Sequence, residues 1–116
     1  MSIEQADVLL VGTGPAGSAF LRAFRRVNSR ARVVAVERDP HPRDKVCGDA
    51  LTFLSLPLVQ QLFPEASIVP SSSFTRVYRF YIDGTRYIEG SDGQLDVVPR
   101  RDLDASLWGT AVRDGV

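Results

Sequence analysis

The chain has 116 residues, 44% of them hydrophobic, and its fourteen basic and fourteen acidic side chains cancel. That is one domain's worth of length with enough apolar content for a core, and the balanced charge provides no global field to attract nucleic acid or an anionic membrane. No charged segment followed by an apolar run opens the chain at Met1, and no apolar stretch approaches the roughly 20 residues that span a bilayer, so the expected location is cytoplasmic.

The first predicted element is a strand over Asp7-Val8-Leu9-Leu10-Val11, which runs into Gly12-Thr13-Gly14-Pro15-Ala16-Gly17. That glycine spacing between a strand and a helix is the pattern of a dinucleotide pyrophosphate cradle. Gly12 permits the tight turn, Gly14 lets the backbone approach a pyrophosphate, and Gly17 lets the helix lie close to the strand. The helix N-terminus offers free N–H donors to the anion, and Pro15 has none to lose in the first turn. Ala16, Ala19, Phe20, Ala23, Phe24 and Val27 recur at helical period and predict the buried stripe. Arg22, Arg25 and Arg26 fall on the polar side near a stop at Asn28 and Ser29, where positive charge complements the macrodipole.

A second continuous strand, Arg32-Val33-Val34-Ala35-Val36-Glu37, has the composition of a parallel strand covered on both faces. Glu37 stands twenty residues beyond Gly17, the distance at which a carboxylate reaches adenosine ribose hydroxyls and repels a 2′-phosphate. The cradle is therefore expected to take FAD or NAD rather than NADP.

Next in the chain, His41 lies between two prolines and reads as a solvated loop residue. Lys45 and Arg43 read equally as solvated loop charges. Cys47 is the single cysteine; it makes neither a disulfide within the chain nor a metal site, and no covalent role is assigned to it. Asp49 suits the N-cap of a helix suggested over 50–63.

From Pro64, and through Pro70-Ser71-Ser72-Ser73, the pattern departs from a nucleotide fold. Phe74 to Ile82 reads as a strand, Asp83-Gly84 as a two-residue hairpin turn, and Thr85 to Glu89 as the returning strand. Phe74, Arg76, Tyr78, Phe80 and Ile82 share one face, while Val77, Arg79 and Tyr81 share the other. The first face is mainly apolar, which fits ordinary sheet packing better than a substrate cavity. A last helix is expected from near Asp102 to about Arg113 before Gly115, with Leu103, Leu107 and Ala111 buried and the carboxylates of Asp102 and Asp104 at its positive end. Trp108 reads as a packing residue.

The stretch from Glu37 through Lys45-Val46-Cys47-Gly48-Asp49 to Leu51 resembles the geranylgeranyl reductase family of flavoproteins, relatives of the aromatic hydroxylases and flavin-dependent halogenases. In that family a basic loop and a Lys-x-Cys-Gly motif follow the second strand. Val98-Pro99-Arg100-Arg101-Asp102-Leu103-Asp104-Ala105-Ser106-Leu107 is similar to the family's Arg-x-x-Phe/Leu-Asp-x-x-Leu segment. The resemblance implies FAD, held by Gly12, Gly14, Pro15, Ala16 and Gly17 at the pyrophosphate and by Glu37 at the ribose. It also implies that Arg38, Lys45, Cys47, Gly48 and Asp49 pass near the flavin, and that Arg100 is directed toward the cofactor. A guanidinium there offers planar, charge-assisted donors to anionic oxygens. Asp49 serves equally well as a helix cap.

The expected fold is α/β, a Rossmann-like FAD-binding βαβ with an inserted β-hairpin and an incomplete doubly wound sheet. Residues 1–63 are expected to form the FAD-binding unit with its loop and helix, 64–98 a hairpin excursion toward a substrate region, and 99–116 a helix returning to the FAD-binding domain. The family's later Gly-Asp segment is absent, so the chain is expected to be the N-terminal part of a flavin-dependent oxidoreductase, with the rest of that enzyme as its partner. The lean is toward reduction of isoprenoid double bonds in a small hydrophobic substrate, with NADPH or NADH as transient donor. A hydroxylase or halogenase, or a catalytically silent dinucleotide-binding fragment, are the alternatives.

Overall fold

The computed structural model describes residues 5–52, 54–68, 71–75, 78–90 and 95–113, and gives the backbone alone at 71–75, 78, 80, 87, 90 and 95. The described residues form a mixed α/β structure of three helices and short sheets. Strand β1 (Val8–Val11), helix α1 (Pro15–Val27) and strand β2 (Val33–Val36) make a βαβ unit, the two strands pairing parallel from Val8 with Val33 to Val11 with Val36. Helix α1 stops where the sequence indicates, the Asn28 N–H donating to the Phe24 carbonyl at 2.8 Å.

The buried face of α1 is only partly the expected one: Ala19 and Phe24 pack against the core half-buried. Ser18, Leu21 and Arg22 are buried, whereas Ala16 and Ala23 are exposed, Phe20 is 44% exposed and Val27 84% exposed. The helix turns this side inward because it packs against helix α3 (Arg100–Val112) and touches helix α2 (Ser55–Leu62). Arg22, expected in solvent, is tolerated inside because its stem packs while its head is satisfied. Its Nε donates to the Leu62 carbonyl at 3.1 Å, its Nη2 to Glu65 Oε2 at 2.6 Å, and the guanidinium lies over the Phe63 ring. The β1–β2 pair is likewise covered on one face only among the described residues: Leu9 and Val11 are 62% and 76% exposed.

The helix expected over 50–63 is shorter. Asp49 has φ 57, not the extended backbone of an N-cap, and Ala50–Leu51 form strand β3 instead of a first helical turn. Helix α2 begins after Thr52, whose carbonyl accepts from the N–H groups of Ser55 and Leu56. Strand β7 (Leu95–Val97) pairs antiparallel with both β3 and strand β4 (Ser71–Thr75). The single strand expected over 74–82 is thus two, β4 and β5 (Tyr78–Ile82), in different sheets.

Strand β5 pairs with β6 (Thr85–Gly90) across Asp83 and Gly84, whose φ values of 49° and 76° are those of the hairpin turn that Asp-Gly specifies. Arg79, Tyr81 and Ile82 are all exposed, although Tyr81 and Ile82 point to opposite faces. The side chains of Phe74, Tyr78 and Phe80, and residues Arg76 and Val77, lie outside what is described, as does Gly115.

Helix α3 starts at Arg100, two residues ahead of expectation, and buries Leu103, Leu107 and Ala111 as its spacing predicts. These join Leu21, Val33, Phe63 and Val98 in one core. No helix among the described residues is long and apolar enough to cross a membrane.

Candidate functional site

The turn between β1 and α1 opens onto a groove of about 520 Å³ lined by Val11, Gly12, Gly14, Pro15, Ala16, Gly17, Glu37, Arg43, Lys45 and Arg100. Gly12 has φ +93, and its N–H donates to the Val36 carbonyl at 2.8 Å, which ties the turn to β2. At Gly17 an added Cβ lies 2.0 Å from the Gly12 carbonyl oxygen, so helix and turn meet only because no side chain is there. Gly14 is different. Its φ of −71° suits any residue, and an added Cβ meets Arg43 Nη2 at 3.5 Å, Asp104 Oδ2 at 3.8 Å and Arg100 Nη2 at 4.0 Å, all ordinary contacts. Folding does not require glycine at position 14; an open groove does.

No described side chain caps α1, and its first turn carries no acid. Pro15 has no N–H and Ser18 donates to the Gly14 carbonyl, so the N–H groups of Ala16 and Gly17 are the helix's orphan donors at the groove.

Glu37 closes one side of the groove. Its Oε2 accepts from the Thr13 N–H at 2.7 Å, from the Thr13 hydroxyl at 3.0 Å and from Arg43 Nη2 at 3.3 Å, and its Oε1 accepts from the Arg38 N–H at 2.9 Å. The Thr13 N–H is the largest influence and outweighs desolvation; with the Thr13 hydroxyl, the Arg38 N–H and Arg43 it draws the carboxyl down to about 2. Thr13, 2% exposed, has a single hydroxyl proton, and that proton goes to Glu37. His41 Nε2, 2.8 Å from Thr13 Oγ1, is therefore the donor in that bond. The His41 ring also stacks on Trp108, so the residue expected in solvent instead fixes its loop to the glycine turn and to α3.

Opposite Glu37 stands a chain of alternating charge. Arg43, its side chain 13% exposed, lies between Glu37 Oε2 and Asp104 Oδ2, each at 3.3 Å. Asp104, fully buried, also accepts from Arg100 Nε at 2.7 Å and Nη2 at 2.9 Å, a bidentate pair four residues apart on α3. The pair holds the Arg100 guanidinium above its usual value. The sequence places the Asp104 carboxylate at the positive end of the helix without indicating its burial; two arginines make that burial tolerable.

A third group adjoins through Arg100. The Asp49 carboxylate accepts from the Arg100 N–H at 3.1 Å, and the Asp49 carbonyl from the Val98 N–H at 2.8 Å. Asp49 is thus a helix cap, but of α3 rather than of the helix that follows it. Cys47 is exposed; the Asp49 N–H first, and then the Arg100 side chain, hydrogen-bond its sulfur and lower its thiol below the usual range.

Of the residues selected from sequence, Gly12, Gly14, Pro15, Ala16, Gly17, Glu37, Lys45 and Arg100 line this one groove. Arg38 lines an adjoining hollow of about 470 Å³ with Val11, Gly12, Val36 and Glu37, and its guanidinium turns outward to Asp39. Cys47 and Gly48 lie exposed beside Asp49. Sequence reasoning missed Thr13, His41, Arg43 and Asp104. Only Asp104 carried a readable signal, its spacing of four from Arg100 on a helix.

No family model matches the chain. Among curated proteins it is similar to the menaquinone reductase of Mycolicibacterium smegmatis, 45% identical over 122 residues that cover 96% of this chain and 28% of that protein. The menaquinone reductase of Mycobacterium tuberculosis is 41% identical over 63 residues, 53% of this chain and 15% of that protein. An uncharacterized protein of Methanosarcina barkeri is 27% identical over 115 residues, 99% of this chain and 29% of that protein. The chain thus spans less than a third of the length of these relatives.

Proposed function

We propose that this chain is the N-terminal FAD-binding portion of a flavin-dependent oxidoreductase that reduces an isoprenoid double bond with electrons from NADPH or NADH. The observation that carries the reading is Gly14: a residue whose backbone any side chain could adopt is nonetheless glycine, at the mouth of a groove lined by two guanidiniums and two orphan helix N–H groups. Those donors suit a diphosphate dianion. Arg43 Nε, buried and without a partner among the described residues, adds a donor that a phosphate oxygen can satisfy. Glu37 Oε1 accepts only the Arg38 N–H among the described bonds, leaving capacity for ribose hydroxyls. The groove therefore fits the adenosine diphosphate half of FAD in a Rossmann-like βαβ.

Bound FAD would supply hydride transfer. The chain's own part is to bind and orient: Ala16, Gly17, Arg43, Arg100 and Lys45 neutralise the diphosphate, and Glu37 selects the 2′-hydroxyl against a 2′-phosphate. Cys47, exposed and with its thiol lowered by Asp49 and Arg100, is the residue that the family resemblance sets near the flavin. The menaquinone named in the relatives carries isoprenoid double bonds, which supports that substrate class for the complete protein. The test is anaerobic reduction of the full-length protein by NADPH, followed by a polyprenyl quinone. Return of the oxidised flavin spectrum with a more saturated product is expected. Reduced flavin that keeps its electrons until oxygen enters contradicts the reading and favours oxygen chemistry.

A further inference from the structure

We propose that Asp104 is a positioning residue for diphosphate recognition, holding the guanidiniums of Arg43 and Arg100 side by side at Gly14; this rests on the dinucleotide reading of the groove. The two arginines come from distant parts of the chain, the loop after β2 and the first residue of α3. Both have Nη2 atoms within 4.0 Å of where a Gly14 Cβ would sit. Two like charges so placed repel and, on long side chains, would separate. Asp104 prevents it. It is fully buried in the second turn of a packed helix, so its own position is fixed, and it engages Arg100 through both oxygens and Arg43 through one.

A merely structural purpose explains this poorly. A buried charge cluster is a weak source of stability compared with apolar packing of the same volume, and the surrounding core of Leu103, Leu107 and Leu21 is apolar. What the cluster does achieve is to present two planar donors, already desolvated on one side, to a single point in an open groove. That is the geometry that a dianion of two adjacent phosphates rewards and a neutral ligand does not.

The experiment is titration of FAD-stripped full-length protein with ADP and with adenosine, wild type against Asp104→Asn. The wild type is expected to prefer ADP. The variant is expected to lose about tenfold in ADP affinity, the scale of one charge-assisted contact, while adenosine affinity stays within about threefold. Equal losses for both ligands, or no loss, overturn the proposal while leaving the groove reading intact. A wild type indifferent to ADP overturns the groove reading itself and the proposal with it. Should Asp104→Asn not fold, the wild-type complex with ADP decides. Both guanidiniums on phosphate oxygens while still paired with Asp104 support the assignment, and either one turned away from the phosphates overturns it.

Discussion

Thr13 and Glu37, twenty-four residues apart, share two hydrogen bonds: the Thr13 N–H and hydroxyl both donate to Glu37 Oε2, at 2.7 and 3.0 Å. The end of β2 is thereby tied to the glycine turn at the end of β1. The acid expected to meet a ribose also shapes the glycine turn, so candidate site and fold share a carboxylate.

That sharing has a pH signature. The Glu37 carboxyl in the folded protein lies at about 2, below the ordinary 4.5. A group whose pKa is depressed on folding stabilises above its unfolded value and loses that contribution as pH falls through the folded one. Melting temperature is therefore expected to decline from about pH 4.5 toward about pH 2, and Glu37→Gln to flatten part of that slope. Only part is removed because Glu65, bonded to its own N–H and to Arg22, is also lowered. A Glu37→Gln protein with an unchanged acid slope contradicts the Thr13 tether.

Gly17 separates fold from function in one direction. With its Cβ placed 2.0 Å from the Gly12 carbonyl oxygen, Gly17→Ala forces helix and turn apart and is expected to cost about 1–3 kcal/mol or more, as overpacking against backbone does. Denaturant unfolding of the full-length variant measures it. A change within about 0.5 kcal/mol, typical of an innocuous surface substitution, contradicts the close approach of α1 to β1.

Cys47 is exposed with a lowered thiol pKa, the Asp49 N–H being the principal cause and Arg100 the next. The thiolate is the nucleophile, so alkylation by iodoacetamide at neutral pH is expected to run severalfold faster than for the same thiol in the urea-unfolded chain. Arg100→Gln is expected to slow it without abolishing the difference, because the Asp49 N–H remains. Equal rates folded and unfolded contradict the arrangement.

What the sequence made legible follows from the range of the interactions involved. The β1–turn–α1–β2 unit was readable because strand composition, glycine stereochemistry and helix period are local properties, and the Asp83-Gly84 turn was readable for the same reason. The inward face of α1 was not, because its rotation is set by α3, some eighty residues along the chain, and Arg22 is held inside by Leu62 and Glu65. The helix suggested over 50–63, with Asp49 as its cap, starts later because Ala50 and Leu51 pair with β7, a partner more than forty residues away in sequence. His41 and Arg43 looked like solvated loop residues because nothing near them in sequence announces Thr13, Asp104 or Trp108 as partners. Site residues recruited by tertiary contact are those that local reading loses.

The central claim, that this groove receives the diphosphate of FAD, is tested most directly by the flavin content of the purified full-length protein, wild type against Gly14→Val. The backbone at Gly14 accepts a β-carbon and the valine methyls displace only the ends of the Arg43 and Arg100 side chains, so the variant is expected to fold, which its melting transition checks. The wild type is expected to carry stoichiometric FAD, and the variant less than about a tenth of it, since a branched side chain fills the place where the phosphates approach the helix N-terminus. A colourless wild type that takes up no FAD, or a folded Gly14→Val protein as yellow as the wild type, contradicts the account.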